Sequence, residues 1–303
     1  MKQPAKNLPA SIPARLKNLA DKDNVDFNFL LLRYLQERLI ARVAISKYSD
    51  KFLLKGGLLL VSFDVEKARP TRDIDFLALG IQNQPEVLRS IFSEIATGEL
   101  SDRVKFTPDS IKVDLIGELA EYNGLRIKIE GRIGTTKNVI QVDVGFGDIV
   151  KPEPASMDYP TMLSDDKVTV LAYSKESIIA EKFEAIVKLG DFNSRMKDFY
   201  DIVFLSNHFD FDEAVLAEAI ERTFTQRQTP VADANKLLES GVGKPADFEK
   251  FWEAFRKRTR VASELSFEEA FRRVQNFLVP VVSSIMKESP HKSKWSNSKA
   301  MWV

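Results

Sequence analysis

The residues best suited to chemistry lie between Phe52 and Phe76, in the segments FLLKGG and RPTRDIDF. Asp73 and Asp75 stand one residue apart inside an apolar run. Strand side chains alternate between faces. Both carboxylates are therefore expected on one face, with Ile74 and Phe76 turned into the core. Like charges side by side repel, and stability alone gives no reason to place them there. A divalent cation would remove the conflict, and Mg²⁺ is typically held by one or two carboxylates plus substrate phosphates. Phosphoryl or nucleotidyl transfer is the leading expectation.

Three further groups could share that chemistry. Asp143 in NVIQVDVGFGD falls on the strand face opposite Ile140, Val142 and Val144. It is either a third ligand, as two-metal sites require, or a solvated strand residue. Lys55, Gly56 and Gly57 form a glycine turn whose backbone amides can approach a polyphosphate; the alternative is a packing glycine pair. Leu58 follows, so no Ser or Thr hydroxyl assists directly after the glycines. In SIIAEKFEAIVKLG, Lys182 lies at the edge of the apolar stripe. It either snorkels to solvent or meets transferring charge on a phosphate. In NSRMKDFYDI, Arg195, Asp198 and Asp201 recur every third residue and can share a helical stripe, and Lys197 and Asp201 are four apart. That pattern is either a salt-bridged surface or a phosphate-site network.

These groups need strands and helices to hold them. Residues 26–49 show helical periodicity, and so do Pro85–Ala96, Lys175–Leu189, Ser194–Leu205, Phe211–Phe224, Pro245–Arg258 and Ser266–Met286. Ile74–Leu79, SIKVDLI, GLRIKIEGRI and NVIQVDVGF read as strands, with turn signals at Asn123-Gly124 and Gly134. Proline clusters after residue 151 mark a change of organisation. The expected layout is an N-terminal arm (1–25), an α/β domain (26–160) and a helical domain (161–303) with a flexible tail from about residue 288.

Composition narrows the classes. The chain has 303 residues, 44 basic and 44 acidic, so overall charge announces no polyanionic partner. With no cysteine, disulfides, thiol nucleophiles and cysteine-bound metals are excluded. Two histidines, His208 and His291, exclude a histidine-rich centre. No secretory signal or bilayer-length apolar run is visible, which fits a cytoplasmic protein without a membrane partner. Basic stretches at Arg256, Lys257, Arg258 and Arg260, and at Lys287, Lys292, Lys294 and Lys299 beside Trp295 and Trp302, fit either solvated surface or nucleic-acid contact.

The motifs LKGG, RPTRDIDF, VDVGFGD, AEKFEAIVKLG and NSRMKDFYDI stand in the order found in nucleotidyltransferases of the AbiEii/AbiGii toxin family, which the chain resembles over residues 10–285. The resemblance implies an α/β (α+β) fold, a polymerase-β-like nucleotidyltransferase domain followed by a helical domain. It implies a toxin of a toxin–antitoxin or phage-defence system, with a separately encoded antitoxin, often a winged-helix repressor. It implies an NTP substrate, Mg²⁺, and an RNA acceptor, in some relatives the tRNA 3′ end, with translation blocked. By motif, Asp73 and Asp75 would be catalytic metal ligands, with Asp143 third. Lys182 and Asp198 would match the essential lysine and late aspartate. Gly56 and Gly57 would hold phosphates, with Lys55, Arg195, Lys197 and Asp201 also on the nucleotide. Two other readings stay open: transfer to a protein or small-molecule hydroxyl, and a non-catalytic nucleotide- or partner-binding module.

Overall fold

The computed structural model describes residues 11–63, 68–116, 124–163, 167–243, 245–259, 261, 264–288 and 292–303. In chain order the elements begin with α1 (Ile12–Asp23), α2 (Phe27–Ile45), β1 (Phe52–Lys55), α3 (Gly56–Phe63), β2 (Asp73–Ala78) and α4 (Pro85–Ala96). Then come β3 (Val104–Ile116), β4 (Gly124–Ile133), β5 (Thr136–Phe146), β6 (Ala155–Tyr159) and β7 (Val168–Ala172). The helical part holds α5 (Lys175–Leu189), α6 (Met196–His208), α7 (Glu213–Gln226), α8 (Val231–Ser240), α9 (Pro245–Thr259) and α10 (Phe267–Met286). Short strands β8 (Phe211–Asp212), β9 (Lys294–Ser296) and β10 (Met301–Trp302) complete it. The α/β class and the helical C-terminal half are as expected.

The chain forms two compact units that interleave along the sequence. One comprises residues 1–52, 72–146 and 157–170; the other comprises 53–71, 147–156 and 171–303.

In the first unit the strands run β3–β4–β5–β2. β3, β4 and β5 are antiparallel neighbours, whereas β2 joins β5 in parallel. Gly134, with φ 60°, supplies the left-handed residue that the two-residue β4–β5 hairpin needs. α2 starts at Asp26, whose carboxylate accepts from Phe29 N–H. It is buried on nearly every side, including Gln36, Glu37, Arg38 and Arg42, which its mixed sequence did not predict. Burial is tolerable because the charges are paired: Arg42 forks onto Asp102 at 2.8 and 3.0 Å, and Glu37 accepts from Met162 N–H. Within the stretch read as an N-terminal arm (1–25), Ile12–Asp23 forms α1. Ser11 caps it and Leu16 is fully buried. Residues 1–10 of that arm lie outside the described residues.

In the second unit β1 and β7 pair in parallel through Leu54 and Ala172. α5 packs on α6 and α7, and α10 on α6, α7 and α8. α10 opens with a Ser266–Glu269 capping box. The tail expected to be flexible is folded over residues 294–302: β9 pairs with β10 and with β8. Trp295 is buried, and its indole donates to Ser206 O; the Trp302 indole donates to Phe277 O and its ring stacks on Phe277. Two tryptophans packed on a helix hold in place what the serines and lysines around them advertise as solvated. The same packing removes Trp295 from any base-stacking role. Lys257 and Arg258 are exposed in the last turn of α9, where they offset the helix dipole; Arg260 and His291 lie outside the described residues.

Candidate active site

In the first unit, β2 alternates as expected. Ile74 and Phe76 are in the core, with Phe76 against Phe52 at 5.6 Å, while Asp73 and Asp75 are half-buried on the other face. The parallel register sets Asp75 beside Asp143 on β5, whose Val142 and Val144 are buried. One carboxylate oxygen from each of Asp73, Asp75 and Asp143 lies within 4.8 Å of the others. Sequence alone left open whether the two strands were neighbours; the pairing brings all three acids together. Three converging carboxylates, oxygen donors only, fit a hard divalent cation.

On the other flank of β5, β4 places Arg126 directly opposite Asp143. Its guanidinium grips that carboxylate with two hydrogen bonds, 2.9 and 2.7 Å, and feels the charges of Asp73 and Asp75. The Asp143 hydrogen bond above all holds the Arg126 pKa up. Sequence reasoning missed Arg126. Its only signal was an outward phase in GLRIKIE, and that says nothing of which strand lies beside it.

The second unit assembles the remaining motif residues. Ser174 caps α5, and Asn193 Oδ1 accepts from Arg195 N–H to start α6. Across these helices the buried Lys182 ammonium lies 2.5 Å from Asp201 and 3.3 Å from Asp198. Arg195 Nε is 2.8 Å from Asp198. Arg69, the first arginine of RPTRDIDF, forks onto Asp201 at 2.9 and 3.0 Å. Burial pushes the Asp201 carboxyl up, but Arg69 and Lys182 outweigh it and hold it below the usual range. Lys197 is half-buried, and burial more than any charge lowers its pKa; Arg69, Arg195 and Lys182 lower it further. Four cations (Arg69, Lys182, Arg195, Lys197) thus surround two carboxylates (Asp198, Asp201). Lys182 does not snorkel. Arg69 stood inside a quoted motif, but its partner lies 132 residues away.

Lys55 belongs to a second network of this unit. Its ammonium is 3.1 Å from both Asp148 and Glu181. Arg227 bonds Asp148 at 3.0 Å and Glu184 at 2.9 Å, and the Tyr173 hydroxyl donates to Glu181. Burial raises the Asp148 carboxyl, yet Lys55 and Arg227 bring it down to about 2. Gly56 and Gly57 open α3. Gly56 has φ 67°, in the left-handed region. At Gly57 an added Cβ would stand 2.7 Å from Thr71 Cβ. Both glycines therefore have packing or backbone reasons of their own.

Two solved structures share the fold, a mixed sheet with helices. A nucleotidyltransferase from H. pylori is 12% identical with TM-score 0.51, covering 88% of this chain and 100% of its own. JHP933 from Helicobacter pylori is 13% identical with TM-score 0.50, covering 86% and 94%. At such identities these likenesses speak for the fold alone. The sequence of residues 38–273 matches the family described as nucleotidyl transferase AbiEii toxin, type IV TA system. The chain belongs to that family, in which the toxin is one half of a system completed by a separate antitoxin. No curated protein sequence matches it. No helix among the described residues is long and apolar enough to cross a membrane.

Proposed function

We propose that this protein is a toxin that transfers a nucleoside monophosphate from an NTP, with Mg²⁺, to the 3′-hydroxyl of an RNA acceptor, tRNA above all. The product tRNA could not be aminoacylated, and translation would stop. The observation that carries this reading is the convergence of Asp73, Asp75 and Asp143. They would hold the divalent cation, which when bound offsets phosphate charge and steadies the attacking and leaving oxygens. The acceptor hydroxyl attacks the α-phosphorus and gives up its proton to solvent, the α–β phosphoanhydride bond breaks, and pyrophosphate leaves with its electron pair.

The second unit's motif residues take the supporting roles. The cation surplus around Asp198 and Asp201 suits a polyphosphate. Lys182 is the cation we assign to the phosphates, oriented by Asp198 and Asp201, with Arg195 and Lys197 beside it. Gly56 and Gly57 offer backbone amides. Lys55, fastened between Asp148 and Glu181, shapes the start of α3 rather than reaching out by itself. We assign the protein to the cytoplasm, with a separately encoded antitoxin, a winged-helix repressor, as its partner.

The test is incubation of purified protein with total RNA, Mg²⁺ and each α-³²P-labelled NTP in turn. Label on a tRNA-sized band with one or two NTPs is expected, and Asp73→Ala should lose it at least 100-fold, the order by which electrostatic catalytic groups act. The melting temperature of Asp73→Ala is measured beside the assay, so that lost label is not mistaken for lost fold. Label on protein or on a small molecule instead would move the acceptor. Transfer at wild-type rate by Asp73→Ala would overturn the site. Folded protein that neither transfers label nor binds Mg·NTP in a calorimeter would leave a non-catalytic module.

A further inference from the structure

Among the described residues, Arg42, Arg69 and Arg126 each grip both oxygens of one aspartate, and they differ in surroundings. Arg42–Asp102 is buried on both sides, at 3% and 6% side-chain exposure, and Arg69–Asp201 at 9% and 0%. Each of those two ties a buried helical residue, Arg42 on α2 or Asp201 on α6, to a buried residue outside helix and strand. Arg126–Asp143 is open: the arginine side chain is 36% exposed and the aspartate 17%. It also stands on the acidic cluster, facing Asp73 and Asp75 as well as its own partner.

The placement matters because Asp143 cannot serve two cations cheaply. Without a metal, three clustered carboxylates repel, and the Arg126 fork cancels one of the charges while fixing the orientation of Asp143. A divalent ion brought to the same carboxylate would meet a guanidinium already bidentate on it, and the two positive charges would oppose each other. A half-exposed arginine on the outer face of a strand can yield, since its head group has water to turn to. The buried forks at Asp102 and Asp201 have no such exit.

We infer that Arg126 is a displaceable internal counter-ion: it competes with the divalent cation for Asp143, and the cation gains its third ligand only by expelling the guanidinium. This rests on the metal reading of the three aspartates given above. It makes Arg126 a positioning residue that sets how much divalent cation the enzyme requires.

The experiment is Mn²⁺ binding to the full chain without nucleotide, followed by the loss of the free-ion electron paramagnetic resonance signal. Wild type, Arg126→Met, Arg126→Lys, Asp143→Asn and the double variant Arg126→Met/Asp143→Asn are compared. Arg126→Met should tighten binding about tenfold, the size of one charged hydrogen-bonded contact. Arg126→Lys keeps the charge but not the fork, and should fall between. In the Asp143→Asn background the effect of Arg126→Met should vanish, because the contested carboxylate is gone. Without metal, Arg126→Met should melt lower than wild type, and Mn²⁺ should restore more of its stability than it adds to wild type.

Equal tightening with and without Asp143 would mean that the guanidinium acts only through its field on Asp73 and Asp75, and would overturn the inference. So would unchanged or weaker binding by Arg126→Met. Both outcomes leave the nucleotidyl-transfer reading standing. Absence of Mn²⁺ binding by every folded variant would overturn the inference and the metal reading together. Should Arg126→Met fail to fold, Arg126→Gln keeps a donor toward Asp143 without the charge and is held to the same criteria.

Discussion

Lys182 shows what a single residue's surroundings decide. Its position on α5 left two options, solvent or site, and the structure seats its ammonium between Asp198 and Asp201. Removing one member of a buried ion pair typically costs several kcal/mol, because the partner charge is stranded. Lys182→Met is therefore expected to lose about 3 kcal/mol of stability in urea denaturation, with Lys182→Arg losing less. A midpoint equal to wild type would show that Arg69 and Arg195 alone satisfy both aspartates. The practical consequence is that inactivity of Lys182→Met proves nothing about chemistry unless its folded fraction is measured beside it. The alternation of Asp73, Ile74, Asp75 and Phe76 was legible from sequence, since strand period does not depend on neighbours. Arg69 and Arg126 were not, because each meets its aspartate through tertiary pairing.

At the scale of elements, strong periodicity and caps wrote themselves into the sequence. Pro85–Ala96 and Lys175–Leu189 form helices with the bounds expected, one with proline in its first turn and the other with a serine cap. The C-terminal hairpin did not announce itself. β9 and β10 are three and two residues long, too short for a period to show, and their stability comes from where the tryptophans land. Trp295→Ala should cost about 3–5 kcal/mol, the range for deleting a large buried aromatic, measured as a fall in thermal midpoint with loss of amide-exchange protection in residues 294–302. A change below about 0.5 kcal/mol, the scale of ordinary surface substitutions, would return the segment to a flexible tail.

At the scale of the whole molecule, acid sensitivity is where the buried networks should be felt. Asp148 has its carboxyl brought from 3.8 down to about 2, burial opposing and Lys55 and Arg227 prevailing. A depressed folded-state pKa means that the unfolded chain binds the proton first. The stability contributed by Asp148 is thus complete above about pH 4, the unfolded value, and is lost as pH falls toward the folded value. The stability gap between wild type and Asp148→Asn is expected to be widest above that point and to close toward pH 2, read from denaturant midpoints across the range. A gap constant with pH would contradict the ion-pair assignment. The local order of motifs, the helix and strand periods, the acidic pair and the family likeness were all present in the sequence, because each depends on residues near one another in the chain. Which strand lies beside which, and hence that Asp143 joins Asp73 and Asp75 under the grip of Arg126, was decided only by the fold. Strand pairing is settled by the packing of the whole sheet and its helices, and no local run of residues encodes it.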